Sequence, residues 1–162
     1  MKSSIGICSW SLLNNPFDVF QNLEETGLTH LHLELVAAEL FRERLEKLHI
    51  TVSCTMLAFP QEDYSTLDRI RKTGGMVPDD CWKQNRALVL DAIQRTAEMN
   101  VPYLSFHAGF IDHNDAESYT LFCARMLELA DAAKEQGIVL LLETGQETAD
   151  DLRRFLEQMN HP

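Results

Sequence analysis

The sequence predicts an α/β fold of about five parallel strands alternating with helices, arranged as part of a (β/α)8 barrel. Three observations carry that prediction. Short β-rich runs alternate with longer helical stretches, which is the rhythm of βα units. The strands carry one apolar and one polar face, whereas strands of an open sheet covered by helices on both sides read as nearly continuous apolar runs. Ionisable residues of the polar faces sit at strand C-terminal ends, where barrel enzymes collect catalytic side chains.

Taken in order, the first strand is read over residues 5–10. Asn15 and Pro16 then supply an N-cap and a first-turn proline, and Gly27 closes the helix. The second strand covers residues 28–36, a helix follows over 37–48, and the third strand, over 50–57, is rich in β-branched and apolar residues. A long connection over 58–80 is broken by Pro60, Gly74-Gly75 and Pro78, with a short helix over 65–72. Ordinary βα loops have about 2–6 residues, so this excursion reads as a lid or as a decorated surface loop. A helix over 82–99 leads to a fourth strand over 102–107. The next helix places Phe122, Met126, Leu129 and Ala133 on one buried stripe and is capped by Gly137. The fifth strand covers 138–143, and a last helix opens with Thr148 as N-cap and Asp151 three residues on.

Strand parity sorts the faces. Leu31, Leu33 and Leu35 oppose His30, His32 and Glu34; Val52, Cys54 and Met56 oppose Thr51, Ser53 and Thr55. Leu104 and Phe106 oppose Tyr103, Ser105 and His107, while Leu140 and Leu142 oppose Val139, Leu141 and Glu143. Glu34, His107 and Glu143 therefore end their strands on the polar face. His107 reads as a hydrogen-bonded structural residue or as a ligand, and Glu34 as a solvated strand end, an ion-pair partner or a site residue. Glu143 ends the most apolar segment of the chain, where an unpaired carboxylate is expensive and needs a metal, a cation or tight hydrogen bonds. Histidine and carboxylate donors without cysteine suit Mn, Mg, Co or Zn. Trp10 is either an apolar wall for a small substrate or core.

The 162 residues carry 14 Lys+Arg against 25 Asp+Glu, a net charge of −11, which disfavours a general nucleic-acid binder. The longest apolar run, residues 138–142, is far short of the roughly 20 residues of a membrane span. Cys8, Cys54, Cys81 and Cys123 form no CxxC and read as reduced thiols. A cytoplasmic location is the expectation, with no membrane partner.

Three segments are similar to the xylose isomerase-like TIM-barrel superfamily, which groups sugar-phosphate isomerases and epimerases with endonuclease IV (AP endonuclease family 2). They are Ile5-Gly6-Ile7-Cys8-Ser9-Trp10-Ser11, Tyr103-Leu104-Ser105-Phe106-His107-Ala108-Gly109-Phe110 and Leu141-Leu142-Glu143-Thr144-Gly145-Gln146-Glu147-Thr148. Glu62-Asp63-Tyr64-Ser65-Thr66 with Thr73-Gly74-Gly75 resembles the lid after the third strand of a bacterial isomerase/epimerase-like subgroup. The resemblance implies carbohydrate metabolism, with a sugar or sugar phosphate as substrate and a divalent metal as cofactor. It makes Glu143 metal ligand and acid/base carboxylate, and His107 metal ligand or substrate contact. Gln146 would orient the metal glutamate or the substrate, and Glu34 would lie near the substrate with Trp10. The family's remaining ligands, an aspartate, a histidine and a second glutamate, belong to strands six to eight. The chain thus reads as the N-terminal portion, strands one to five, of a single barrel domain over residues 1–162. On that reading it binds metal weakly by itself, and its open edges call for a homo-oligomer or another covering partner. The other readings are a non-catalytic self-associating half-barrel scaffold and, disfavoured by the acidic charge, an endonuclease IV-like nuclease.

Overall fold

A computed structural model of the chain describes residues 4–76, 78–143, 145 and 147–161. Among them, strands β1 (Ile7–Cys8), β2 (His30–Glu34), β3 (Thr51–Leu57), β4 (Tyr103–His107) and β5 (Val139–Glu143) form one parallel sheet in sequential order. The helices are α1 (Pro16–Thr26), α2 (Ala38–Leu48), α3 (Leu67–Thr73), α4 (Trp82–Glu98), α5 (Ala116–Glu135) and α6 (Ala149–Met159). Five parallel strands in sequential order, alternating with helices, are a partial (β/α)8 barrel.

Local chemistry sets the helix ends. Asn15 accepts from the Phe17 amide at 3.0 Å with Pro16 behind it, and Gly27 closes α1 at φ 68°. Thr148 Oγ1 accepts from the Asp151 amide at 3.1 Å and opens α6. The α5 stripe of Phe122, Met126, Leu129 and Ala133 is buried, and its cap residue is Gln136, with Gly137 following in the left-handed region.

Two strand expectations are corrected. Only Ile7 and Cys8 of the first run pair with β2, because the Ser9 hydroxyl takes the Glu34 amide at 2.9 Å and the chain coils into a 3₁₀ turn over Ser9–Leu12. Trp10 thus stands in that turn rather than at a strand end. The second correction is a bulge: Leu31 pairs with Val52, but His32 pairs with Cys54, so Ser53 is the extra residue. One inserted residue exchanges the faces of all that follow it. Thr55 consequently points outward, where its hydroxyl meets Thr96 Oγ1 of α4 at 2.7 Å, and Met56 lies against Ser105 on the inner face.

The core lies outside the sheet, under the helices. Leu31, Leu33, Leu104 and Phe106 are 0 % exposed, and each such side chain contributes about 1.5–3 kcal/mol of burial. The inner face is different. Tyr103, Val139 and Leu141 remain 40–41 % exposed, so the barrel interior beside β4 and β5 is open.

Candidate active site at the strand C-terminal rim

Strand register brings two of the expected residues together. His107 and Glu143 are direct partners across β4 and β5, one strand spacing of about 4.8 Å apart. Glu143 is exposed, since the inner face of β5 is uncovered, and this corrects the expectation that its carboxylate is buried among apolar neighbours. Its charge still reaches inward: the Cys8 thiol is pushed up first by burial and then by Glu143.

The lid supplies a residue to which sequence reasoning gave no role. Glu62 has a side chain 3 % exposed and accepts three donors: the Phe59 amide at 3.1 Å, the Gly75 amide at 2.9 Å and His107 Nδ1–H at 3.2 Å. Its carboxylate thus joins both ends of the lid to β4. The hydrogen bond from His107 to Glu62 is the main cause that holds the imidazole above its ordinary value, with Glu62, Glu143 and Glu147 adding their charges against the opposing effect of burial. Gln61 binds the Thr73 and Gly75 carbonyls at 3.2 and 2.7 Å, and Asn85 binds Gly75 O at 3.0 Å, so the lid neck is stapled along its length. The glycine pair explains the close fit. A Cβ on Gly74 would lie 2.6 Å from His107 Cε1, and one on Gly75, at φ +65°, would collide with the backbone of His107 to Gly109. The spacing of Glu62 to Gly74-Gly75 was the available signal, and only the fold shows that both close on His107.

With Nδ1 committed, His107 turns Nε2 toward Gly145, which packs closely against it. A Cβ on Gly145 would sit 2.9 Å from His107 Nε2 and 3.0 Å from Glu147 Oε2. Glu147 Oε1 accepts from the Gly145 amide at 2.8 Å, while Oε2 is buried with no hydrogen-bond partner among the described residues. A buried unpaired carboxylate oxygen is costly and marks a place for a cation or a donor. Tyr64 stands over the same region, its ring 6.5 Å from that of His107. The residue is 65 % exposed, yet partial burial and then the charges of Glu62 and Glu143 push its phenol up to about 12. Glu147 and Tyr64 join Glu62 as site residues whose roles the sequence left unassigned.

The donors around Gly145 have the chemistry of a hard or borderline divalent ion, and a carboxylate on the far nitrogen of a histidine is a familiar support for a ligand. They do not amount to a full set. Among the described residues no three of His, Cys, Asp and Glu stand at metal-holding distances.

Glu34 is not brought to His107. Its register partner is Met56, which pairs with Ser105, two residues short of His107. Its Oε2 accepts from Asn14 Nδ2 at 2.5 Å on the β1 side of the rim. Trp10 meets His32 edge-on, ring centroids 4.7 Å apart, and His32 Nε2 lies 2.8 Å from Ser105 Oγ. Burial holds the His32 imidazole below its ordinary value. Gln146 lies outside the described residues.

A family model described as the xylose isomerase-like TIM barrel matches residues 14–162. The chain belongs to that family. Within the xylose isomerase-like TIM barrels, a xylose isomerase domain protein from Planctomyces limnophilus is similar at 23% identity and a TM-score of 0.80, over 88% of this chain and 54% of that one. A structure of L-ribulose 3-epimerase is similar at 16% identity and a TM-score of 0.70, over 98% of this chain and 58% of that one. A xylose isomerase-like TIM-barrel protein from Mycobacterium smegmatis in complex with magnesium is similar at 17% identity and a TM-score of 0.63, over 91% and 55%. The chain spans a little over half the length of these structures. No curated protein matches it. Among the described residues no helix is long and apolar enough to cross a membrane.

Proposed function

We propose that the chain belongs to a sugar or sugar-phosphate isomerase/epimerase that uses a divalent metal and carboxylate acid/base chemistry. The observation that carries the reading is the meeting of His107, Glu143 and the unpartnered Glu147 oxygen at the C-terminal rim of a xylose isomerase-like barrel. Glu143 is the acid/base group: its carboxylate takes the proton from the carbon beside a sugar carbonyl. His107, its ring fixed by Glu62, is the metal donor or the contact to a substrate oxygen through Nε2. Trp10 walls the substrate on the β1 side, Glu34 accepts its hydroxyls, and Gln146 orients substrate or metal glutamate. The lid around Tyr64 covers it. Glu143 and His107 are the residues that would hold Mn, Mg, Co or Zn. When bound, that ion supplies polarisation of the carbonyl and its neighbouring hydroxyl. The chain alone binds metal weakly, because among the described residues no full set of donors comes together. Four free thiols suit work in a reducing cytoplasm.

The test is deuterium exchange at the carbon beside the carbonyl of L-ribulose and D-tagatose, with and without Mn²⁺, in the wild type and Glu143→Gln. Slow, metal-dependent exchange that disappears in Glu143→Gln is expected. Exchange unchanged by Glu143→Gln overturns the assignment, and fast turnover by the chain alone overturns the view that its donor set is incomplete.

A second reading, a self-associating scaffold without catalysis, is favoured by the open inner face of Tyr103, Val139 and Leu141. Light scattering on the purified chain decides it: a stable monomer removes the scaffold reading, and a metal-independent oligomer supports it.

A further inference from the structure

The turn after β1 is built around a ring of three side chains. Ser9 Oγ donates to Asn14 Oδ1 at 2.7 Å, Asn14 Nδ2 donates to Glu34 Oε2 at 2.5 Å, and the Glu34 amide donates back to Ser9 Oγ at 2.9 Å. Ser9 is fully buried beneath it. The turn reaches this arrangement through two consecutive left-handed residues, Leu13 at φ 53° and Asn14 at φ 54°. Leucine avoids that region, while asparagine is among the few side chains that tolerate it. The Asn14 backbone N–H also donates to Ser9 O at 2.9 Å and closes the loop. A strand-end glutamate on a barrel rim needs no such device merely to be solvated. The ring restrains the carboxylate at one oxygen: among the described residues it engages Oε2, which leaves Oε1 for another donor. Trp10 comes from the same turn and packs on His32, the inner-face residue two positions before Glu34.

We propose that Asn14 is the positioning residue for Glu34: it pins Oε2 so that Oε1 faces the barrel mouth as an acceptor for a hydroxyl of a polyol ligand beside Trp10. This rests on the reading of Glu34 as a substrate contact. Asn14 does not touch the ligand. It removes the rotational freedom of the Glu34 carboxylate before binding, so that less entropy is lost when the ligand arrives.

The experiment uses the full chain with ¹³C-labelled glutamate, and L-ribulose and D-tagatose as probes in saturation-transfer NMR with Mg²⁺ present. The variants are Asn14→Gly, which suits the left-handed turn but lacks the amide, Glu34→Gln, and the exchange Asn14→Asp/Glu34→Gln, which keeps an amide-to-carboxylate bond with its ends reversed. Asn14→Gly is expected to shift the Glu34 carboxyl resonance and to weaken probe binding about tenfold while the melting temperature stays near that of the wild type. The exchanged pair is expected to keep the wild-type melting temperature but to lose the binding, because the carboxylate has moved to position 14. An unshifted Glu34 resonance in Asn14→Gly overturns the inference with no ligand needed. Wild-type binding by Asn14→Gly, with loss in Glu34→Gln, overturns the role of Asn14 and leaves Glu34 a contact. Equal binding by all variants, or none by the wild type, overturns Glu34 as a contact for these sugars, and the resonance then decides Asn14.

Discussion

The two sides of the rim hold their carboxylates by different means. Over β1 and β2, the Glu34 carboxylate is tied by the neutral Asn14 amide while its backbone N–H goes to the Ser9 hydroxyl, and part of the residue meets solvent. Over the lid and β4, the Glu62 side chain is 3 % exposed and is satisfied by two backbone amides and a histidine that its hydrogen bond, and then its charge, keep protonated to higher pH. A carboxylate that keeps contact with water needs only orientation. One removed from water needs a full set of donors, and so it couples a loop, a strand and a protonation state into one unit.

The largest effect is expected where that unit is cut. Glu62→Ala leaves the Phe59 and Gly75 amides without their acceptor and should lower stability by about 3–5 kcal/mol in urea unfolding, with lid protons exchanging faster. A loss below about 1 kcal/mol would mean that the clasp does not hold the lid.

Gly75→Ala attacks the same clasp through the backbone. The added methyl meets the chain at Gly109 and the left-handed φ of +65° is disfavoured, so a loss of about 2–4 kcal/mol is expected. On the other side of the rim, Ser9→Ala removes one hydroxyl from a ring of neutral donors and should cost about 1–2 kcal/mol.

The comparison is sharpest in its pH dependence. His107 is raised above 6.5 in the folded chain, so its contribution is fully present below 6.5 and is lost as pH rises through the higher folded value. Stability of the wild type should therefore decline over that window, and Glu62→Gln should flatten the decline and return the His107 titration, followed by NMR, toward its ordinary value. Ser9→Ala should leave the profile unchanged. An identical slope in wild type and Glu62→Gln would separate His107 from the clasp. As the smallest effect, Arg153→Ala on α6 removes exposed ion pairs to Asp150 and Glu157 and should change stability by less than about 0.5 kcal/mol.

Much of this architecture was legible in the chain. Helix ends at Asn15-Pro16, Gly27 and Thr148, the stripe from Phe122 to Ala133 and the two faces of β2, β4 and β5 follow from capping chemistry and side-chain period, which are local properties. His107 and Glu143 could be named as neighbours because both end strands on the same face, and the register agrees. Parity failed in β3 at one residue, Ser53, since a bulge is set by pairing with β2 and leaves no mark in the alternation of β3 itself.

What only the tertiary structure decided is how the carboxylates are held. Glu62 closes on His107 across 45 residues, Glu34 on Asn14 across 20, and the Glu147 oxygen is stranded beside His107 Nε2. Hydrophobic period and capping act over one or two turns of chain, so the sequence by itself determined which elements form and which faces they bury. Hydrogen bonds to a buried carboxylate depend on atoms brought within about 3 Å by folding, and no local pattern carries that distance.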